Sequence, residues 1–254
     1  MERLTNACAT LVFPNSFNMM KIMEDLHLCK KKKMQVIGNG SSNGIDTKHF
    51  SVEKTIADTG KNKEKWRKEL GLKEEDFAFI FVGRIVKDKG INELVDCMRR
   101  LVPQYKNCRL IMVGLYEHNL DPITPENVEF FKNDNSAIFM GWQKDVRPYL
   151  MAADALVFPS YREGFPNVVM QAGAMGLPSI VTDINGCNEI VINGENGKII
   201  PPKNKDALCE MMVWFITHPN EVEAMANNAR KMITSRYERQ LIWAELLKVY
   251  NSLK

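Results

Sequence analysis

The chain has 254 residues, of which 45% are hydrophobic and 26% charged, and its formal net charge at pH 7 is +3. These values are typical of a soluble globular protein with one large domain or two small ones. They argue against a nucleic-acid-binding protein, because that class of protein needs a concentrated basic face. The one dense basic run, at residues 30–33, is most simply a solvated helix end. A surface that attracts phosphate or anionic lipid is the alternative.

Location and metal content are predicted from patterns that the sequence lacks. No apolar run reaches the roughly 18–20 residues of a membrane-spanning helix, and the N-terminal stretch has no signal-peptide pattern. We therefore expect a cytoplasmic protein, with peripheral association at the inner face of the membrane left open. The six cysteines show no CxxC motif and no paired spacing with the histidines. This predicts reduced thiols, without disulfides or a zinc site.

The first 70 residues have a weaker pattern than the rest of the chain. Residues 7–13 (ACATLVF) predict a strand, and residues 15–29 predict a helix. Residues 38–46 (GNGSSNGID) are rich in residues that favour turns, which indicates a hinge within a linker at residues 34–70. We expect residues 1–33 to be the remnant of a second domain.

From residue 77 onward, short apolar runs alternate with helical patterns. Most of these runs are apolar throughout, as expected for parallel strands that helices cover on both faces. The alternation predicts a Rossmann-like α/β domain, with a doubly wound parallel sheet, at residues 71–235. The predicted strands are 77–83, 109–114, 137–142, 155–160, 179–184 and 198–202.

Helices between these strands are predicted from apolar stripes with the i, i+3, i+4, i+7 spacing. The first stripe consists of Ile91, Leu94, Val95, Met98 and Leu101, and the second of Leu208, Met211, Met212 and Phe215. A last helix, at 236–254, carries large apolar residues on more than one face. Such a helix needs another surface to pack against.

The loop after the first predicted strand has the residues of an anion site. Gly83 allows a tight turn, and Arg84 and Lys89 follow before the next helix begins. Two cations beside a helix N-terminus favour a phosphate group. Taken alone, the two cations are more simply solvated surface charges. The loop has neither a GxGxxG nor a GxxxxGK[ST] pattern, which argues against dinucleotide and P-loop chemistry.

Two further loops follow predicted strands and should lie at the same edge of the sheet. In one, Trp142 and Gln143 could face a base or a ring, and a half-buried loop aromatic is an equally good interpretation. In the other, Glu163 precedes Pro166, which suits the first position of a helix. The N–H groups of the next two residues, Asn167 and Val168, would then be free for an anion.

Four runs along the chain carry a family resemblance. They are FVGRIVKDKG, MVG, FMGWQKDVRPYLMAADALVFPSYREGFPNVVMQAGAMGLPSIVTD and NEIVINGENGKIIPP. In order and spacing, over about residues 34–235, they resemble the C-terminal domain of the retaining glycosyltransferases of family 4. The resemblance implies the nucleotide-sugar-binding half of a GT-B fold. It is closest to bacterial enzymes that build capsule, O-antigen or lipid-linked oligosaccharides.

The resemblance also implies roles for the loop residues. Arg84 and Lys89 would bind the diphosphate of a nucleotide-sugar donor, and Glu163 would contact the hydroxyls of the donor sugar. The second of the family's paired glutamates falls on Gln171, whose amide can still bond ribose hydroxyls without the strength that a charge adds. The expected catalytic residues are Glu163, Arg84 and Lys89. The expected donor-binding residues are Gly83, Arg84, Lys89, Trp142, Gln143, Phe165, Pro166, Asn167, Val168 and Gln171.

The implied reaction is the transfer of a sugar, with retention, from a nucleotide-sugar to a glycan or lipid-linked acceptor. A UDP-sugar is the expected donor. No metal or other cofactor is expected, since two cations can replace a metal at the diphosphate. A GT-B enzyme has two domains, so we expect this chain to be a fragment. Residues 1–33 would belong to the N-terminal acceptor domain, and 236–254 would form a helix that crosses back to it.

Two other functions compete with this one. The chain could be a non-catalytic domain that binds nucleotide-sugars and lacks the acceptor half. A dehydrogenase-like Rossmann protein is the third hypothesis, and the lack of GxGxxG after any predicted strand argues against it.

Overall fold

A parallel six-stranded sheet lies at the centre of the structure. The computed structural model describes residues 2–117, 119 and 121–253. The strands in this part of the chain are Phe77–Val82 (β1), Cys108–Val113 (β2), Ala137–Phe139 (β3), Ala155–Phe158 (β4), Ser179–Thr182 (β5) and Gly197–Ile200 (β6). Their order is β3-β2-β1-β4-β5-β6, and all neighbours are parallel. The predicted α/β class, with a doubly wound sheet, is confirmed, as are all six predicted strands.

Helices connect the strands and flank the sheet. The α-helices in the described residues are Glu2–Cys8 (α1), Phe17–Asp25 (α2), Val52–Thr59 (α3), Lys63–Glu69 (α4), Ile91–Leu101 (α5), Pro125–Asn133 (α6), Arg147–Ala152 (α7), Asn167–Ala174 (α8), Cys187–Ile190 (α9), Lys205–Thr217 (α10), Pro219–Tyr237 (α11) and Arg239–Ser252 (α12). Short 3-10 turns lie at Lys31–Lys33 and Lys87–Lys89. Among the helices, α5 packs against α10, and α8 packs against α11.

Burial of the central strands explains why their sequences are apolar throughout. In β1, four consecutive residues from Ala78 to Phe81 are fully buried, which requires cover on both faces of the sheet. The chain runs outward from β1 to β3 and returns to β4 on the other side of β1. The strand order therefore reverses between β1 and β4. In open parallel sheets, ligands bind at the carboxyl ends of the strands at such a switch point.

The two predicted apolar stripes lie on α5 and α10. All five residues of the first stripe are buried in α5. In α10, Leu208, Met212 and Phe215 are buried, and Met211 is half-buried. Between the two helices, the Cys97 thiol lies 3.6 Å from the sulfur of Met212. These stripes form the contact that holds α5 and α10 together.

The predicted strand at residues 7–13 is wrong. Glu2–Cys8 is a helix, and Val12 makes only an isolated parallel bridge to Met34. Ala and Cys fit a helix as well as a strand, and Pro14 follows the run and has no N–H to donate. The predicted helix within 15–29 is confirmed as α2, where Ser16 caps the first turn by accepting from Met19 N at 2.9 Å.

Residues 34–70, which the sequence predicts as a linker, contain α3 and α4. In α4, the buried Arg67 guanidinium donates to the Asp154 carboxylate at 3.0 Å and to the carbonyl oxygen of Asp76 at 2.6 Å. Beside α3, the buried Arg147 guanidinium pairs with Asp58 at 3.0 Å and with Asp145 at 2.7 Å. Both arginines join residues 52–70 to the domain that contains the sheet.

The last two helices meet at a short backbone junction. Ile45 N donates to the carbonyl oxygen of Tyr237 at 2.8 Å, and Arg239 N donates to that of Ile45 at 2.9 Å. The Tyr237 side chain is fully buried, and burial raises its pKa to about 12. In α12 only Ile242 is buried, while the large apolar residues Leu241, Trp243, Leu247 and Tyr250 are exposed.

Candidate functional site

The loops after β1 and β4 meet at the carboxyl edge of the sheet, where the strands end. Gly90, at the start of α5, has a φ of 70°. A Cβ atom there would lie 2.1 Å from the carbonyl oxygen of Pro159, so only glycine allows the loops to approach this closely. Tyr161 N donates to the carbonyl oxygen of Asp88 at 2.8 Å, which joins the loops again. The turn that carries Lys89 therefore lies directly against the loop that carries Glu163.

Lys89 and Glu163 form a largely buried ion pair. The ammonium nitrogen lies 2.6 Å from Glu163 Oε1, and the two side chains are 14% and 16% exposed. Ser160, which is fully buried, donates from its hydroxyl to the same oxygen at 2.9 Å. The structure thus brings into contact two side chains that the sequence predicts at one site. Their orientation is set by the hydroxyl and by the close approach of the two loops.

Arg84 lies in the same loop as Lys89 but has a different partner. Its guanidinium pairs with Glu117 at 3.3 Å, and its side chain is 53% exposed. Gly83, before it, has a φ of 156° and donates its N–H to Val113 O at 2.9 Å. Arg84 and Lys89 are therefore both at the carboxyl edge, but each is neutralised by its own carboxylate. An anion that binds both cations has to compete with two ion pairs.

The side chains of Trp142 and Gln143 do not point to a common site in this structure. Trp142 is 63% exposed. Gln143 donates from its side-chain amide to Met140 O at 2.7 Å, which folds it back onto its own loop. Both residues follow β3 and so lie at the same edge as the Lys89–Glu163 pair, as predicted.

The start of α8 differs by one residue from the prediction. Helix α8 begins at Asn167, so Pro166 is its N-cap and not its first helical residue. Within this first turn Val168 is half-buried and Val169 is buried. Asn167 is exposed at the first turn, where helical N–H groups have no partner within the helix. The helix start that the sequence predicts is therefore present, and anion binding by its N–H groups stays a prediction.

Phe165 and Gln171 flank this helix start. The Phe165 ring packs edge-on against Tyr237, with ring centroids 5.5 Å apart, and a Cβ atom on Gly40 would lie 2.9 Å from it. In this conformation Phe165 joins the loop to the segment around residue 40. Gln171 lies half-buried on α8, and its amide makes no hydrogen bond with any residue that the structure describes. The amide is thus available to a ligand.

Residues that hold the Glu163 loop in place were not predicted from the sequence. The Tyr161 hydroxyl donates to Glu93, and burial, followed by that hydrogen bond, raises the pKa of Tyr161. The Asn185 amide donates to the carbonyl oxygens of Glu163 and Gly164. Asn185 follows β5, so the rule that selected the other three loops would have found this fourth loop as well.

A large groove lies elsewhere in the described residues and does not include this pair. It has a volume of about 850 Å³ and is formed by residues at the opposite edge of the sheet, where the strands begin, among them Lys63, Arg67, Asp76, Asp154 and Leu177. Open parallel sheets bind their ligands at the carboxyl edge. The Lys89–Glu163 pair, and not this groove, is therefore the candidate site.

Comparison with known proteins shows the family of the chain. The model of the family described as glycosyl transferases group 1 matches residues 62–232. The chain belongs to this family. Among its relatives, the capsular polysaccharide biosynthesis glycosyltransferase CapM of Staphylococcus aureus is 32% identical over 252 residues, covering 99% of this chain and 64% of that protein. The group 1 chain thus spans a little under two thirds of the length of CapM.

Another relative has a name that includes a lipid-linked sugar. The N,N'-diacetylbacillosaminyl-diphospho-undecaprenol alpha-1,3-N-acetylgalactosaminyltransferase of Campylobacter jejuni is 28% identical over 240 residues, covering 94% of this chain and 59% of that protein. Among solved structures, HepE of Anabaena in complex with UDP and glucose superposes with a TM-score of 0.84 at 22% identity. That match covers 98% of this chain and 65% of HepE, and it confirms the predicted C-terminal half of a GT-B fold.

Neither a membrane span nor a metal cluster accompanies this site in the described residues. No helix among them is long and apolar enough to cross a membrane. No group of three or more His, Cys, Asp or Glu side chains within the same residues is arranged to hold a metal ion. Arg84, Lys89 and Glu163 are the charged residues at the carboxyl edge that the sequence predicts at this site.

Proposed function

We propose that this domain binds the nucleotide-sugar donor of a retaining glycosyltransferase, and that the donor is a UDP-sugar. The observation that carries the proposal is the buried Lys89–Glu163 pair at the switch point of the sheet. A cation for phosphate and a carboxylate for sugar hydroxyls lie side by side, which suits a ligand with both groups. Membership of the group 1 family and the name of CapM support a role in bacterial polysaccharide synthesis. The presence of UDP in the HepE complex supports uridine as the nucleoside.

Each residue has a physical role in this proposal. Lys89 and Arg84 bind the diphosphate, assisted by the free N–H groups at the start of α8. Glu163 accepts hydrogen bonds from the sugar hydroxyls and stabilises positive charge at the anomeric carbon. Gln171 bonds the ribose hydroxyls through its amide. Hexosyl and N-acetylhexosaminyl donors both fit this set of groups.

In the proposed reaction the protein acts mainly by electrostatics. The bond between the anomeric carbon and the leaving phosphate oxygen breaks, and the acceptor oxygen forms a bond to the same face of that carbon. The acceptor proton passes to the leaving phosphate oxygen. Lys89 and Arg84 stabilise the charge that grows on the diphosphate, and such preorganised stabilisation is worth several kcal/mol, on the order of 3, for a single donor group. No metal or other cofactor takes part in this scheme.

The acceptor is proposed to be a glycan or a lipid-linked glycan. The names of the Staphylococcus and Campylobacter relatives support that class. Acceptor contacts are expected from the other half of a two-domain enzyme. A lipid-linked acceptor would bring the enzyme to the inner face of the membrane, where the basic residues 30–33 would favour anionic lipid.

Calorimetric titration tests the proposal. The chain is titrated with UDP, GDP and ADP in EDTA, and then with UDP in Mg²⁺. We expect binding of UDP alone, with the dissociation constant changed less than about twofold by Mg²⁺. Lys89→Met should weaken UDP binding at least tenfold, since a charge-assisted contact contributes about 1.5–3 kcal/mol.

Lys73→Met is the matched control. Lys73 is an exposed lysine whose nearest carboxylate, Glu75, lies 4.0 Å away, at the opposite edge of the sheet. Its removal should leave UDP binding unchanged. Equal losses in Lys89→Met and Lys73→Met, or no nucleotide binding at millimolar concentration, would reject the proposed donor site. If the chain binds the donor but transfers no sugar to a supplied glycan or lipid-linked glycan, a non-catalytic binding domain would be favoured.

A further inference from the structure

Asn185 bonds the backbone of the Glu163 loop through its amide nitrogen and the residue before α2 through its amide oxygen. Its Nδ2 donates to Gly164 O at 2.6 Å and to Glu163 O at 3.2 Å. Its Oδ1 accepts from the hydroxyl of Ser16 at 2.6 Å. One amide therefore connects two segments, separated by more than a hundred residues along the chain, through three hydrogen bonds.

Backbone packing beside Asn185 tightens the same contact. Gly186 has a φ of 76°, and a Cβ atom there would lie 2.6 Å from Gly164 O and 2.8 Å from Phe165 Cα. The loop after β5 thus lies directly against the loop that carries Glu163. A glycine is required at this position both for its φ and for the close approach. The two loops cannot move independently without breaking the Asn185 hydrogen bonds.

The other end of this connection is the N-terminus of α2. Ser16, fully buried, caps this helix. The Glu189 carboxylate accepts from the backbone N–H groups of Phe17 at 2.8 Å and Asn18 at 3.1 Å. Helix α2 is therefore attached to α9 by the two Glu189 carboxylate bonds, and to the loop after β5 by the Ser16–Asn185 bond. A displacement of α2 would therefore strain the Ser16–Asn185 bond together with the Glu189 bonds.

We propose that Asn185 is a positioning residue for Glu163, and that it couples the position of α2 to the orientation of that carboxylate. The assignment rests on the proposed function, in which Glu163 contacts the donor sugar. Ser160 and Lys89 set the carboxylate itself, whereas Asn185 sets the backbone from which the side chain extends. Asn is suited to this role because one amide both accepts and donates. Asp has no donor and would place its charge against two carbonyl oxygens.

The test separates binding of the nucleotide from binding of the sugar. UDP is titrated first, followed by UDP-glucose, UDP-galactose, UDP-N-acetylglucosamine and UDP-N-acetylgalactosamine. The ratio of affinities between the tightest UDP-sugar and UDP measures the contribution of the sugar. Asn185→Ala and Asn185→Asp should lower this ratio by about tenfold, as expected for losing two backbone contacts, and leave UDP affinity within about twofold. A merely structural role would weaken both ligands together.

Asn188→Ala is the matched control, since Asn188 lies in α9 and also contacts α2. Its side chain accepts from Asn18 at 2.9 Å and donates to Asp183 at 2.7 Å, without touching the Glu163 loop. In Asn188→Ala the ratio of UDP-sugar affinity to UDP affinity should equal that of the unmodified chain. Ser16→Ala should lower the ratio in the unmodified chain and have no further effect in Asn185→Ala. If the two substitutions together lower the ratio by the sum of their separate effects, Ser16 does not act through Asn185.

The outcomes distinguish this assignment from the function on which it rests. An unchanged ratio in folded Asn185→Ala, with UDP bound normally, rejects the role of Asn185 and leaves the donor site intact. If the unmodified chain binds UDP-sugars and UDP equally well, Glu163 makes no favourable contact with the sugar. That result also rejects the role of Asn185. If the unmodified chain binds no UDP, the proposed function and this assignment fail together. Thermal unfolding of each variant checks that it is folded at the titration temperature.

Discussion

Replacing Glu163 with Gln should strengthen the binding of UDP. Without a ligand, the Glu163 carboxylate lies 2.6 Å from the Lys89 ammonium, and both side chains are about five-sixths buried. A diphosphate that binds Lys89 has to separate this pair or approach its negative partner. Glutamine keeps the shape and can still accept a hydrogen bond from Ser160, but it removes the competing charge.

The size of the effect follows from the burial of the pair. Breaking a fully buried ion pair by removing one partner costs about 3–5 kcal/mol, and an exposed pair contributes at most about 1 kcal/mol. The Lys89–Glu163 pair lies between these limits, so we expect a gain of about 1.4 kcal/mol, or tenfold in UDP affinity. UDP-sugar binding should gain less, because the contact between Glu163 and the sugar is weakened. The ratio of UDP-sugar to UDP affinity should therefore fall.

Calorimetry with UDP, at fixed pH and salt, measures this change. Glu117→Gln is the comparison, because Glu117 pairs with Arg84 at the same edge of the sheet, but with an exposed arginine. Its effect on UDP affinity should stay within about threefold. Unchanged or weaker UDP binding in Glu163→Gln would show that the ion pair does not compete with the diphosphate.

Three further predictions concern other parts of the domain. Gln171→Glu should tighten UDP binding by about three- to tenfold through a charge-assisted bond to the ribose, and titration with 2′-deoxy-UDP should show no such gain. Gly90→Ala should lower the free energy of unfolding by about 2–4 kcal/mol in urea denaturation, because its Cβ would lie 2.1 Å from Pro159 O; a loss below about 1 kcal/mol would contradict the close approach. Arg147→Met should destabilise the chain at pH 7. Burial raises the pKa of Asp145, but hydrogen bonds from Arg147 outweigh it and hold that pKa below the usual value. The stability from this pair is therefore present above about pH 4 and is lost as pH falls through the folded-state pKa, so variant and unmodified chain should differ less at pH 3 than at pH 7.

The sheet and the loops at its carboxyl edge were predictable because the sequence patterns that indicate them are local. A strand that is covered on both faces must be apolar throughout, and β1 shows this in four consecutive residues. Loops that follow parallel strands end at one edge, so Lys89 and Glu163 could be placed together although 74 residues separate them. Their direct contact could not be predicted, since it depends on the fit of Gly90 against Pro159.

The errors occurred where tertiary contacts override local preference. The apolar run around Val12 resembles a strand, but it finds one bridging partner, Met34, and no sheet to join. The side chain of Gln143 donates to the backbone of its own loop, an orientation that residue spacing does not predict, and its role in binding stays a prediction. The loop of Asn185 could have been found from its place after β5, but the bond of Asn185 to Ser16, 169 residues earlier in the chain, could not be predicted.

If the proposed mechanism holds, the Lys89–Glu163 pair also acts after the sugar has been transferred. When the sugar leaves with the acceptor, Glu163 loses its hydroxyl partners and stands beside an ammonium that still holds the spent nucleotide. Ser160 remains in place to return the carboxylate to its position against Lys89. In the proposed mechanism, the Glu163 carboxylate thus replaces the diphosphate on Lys89, which would favour release of the nucleotide without any ligand from solution.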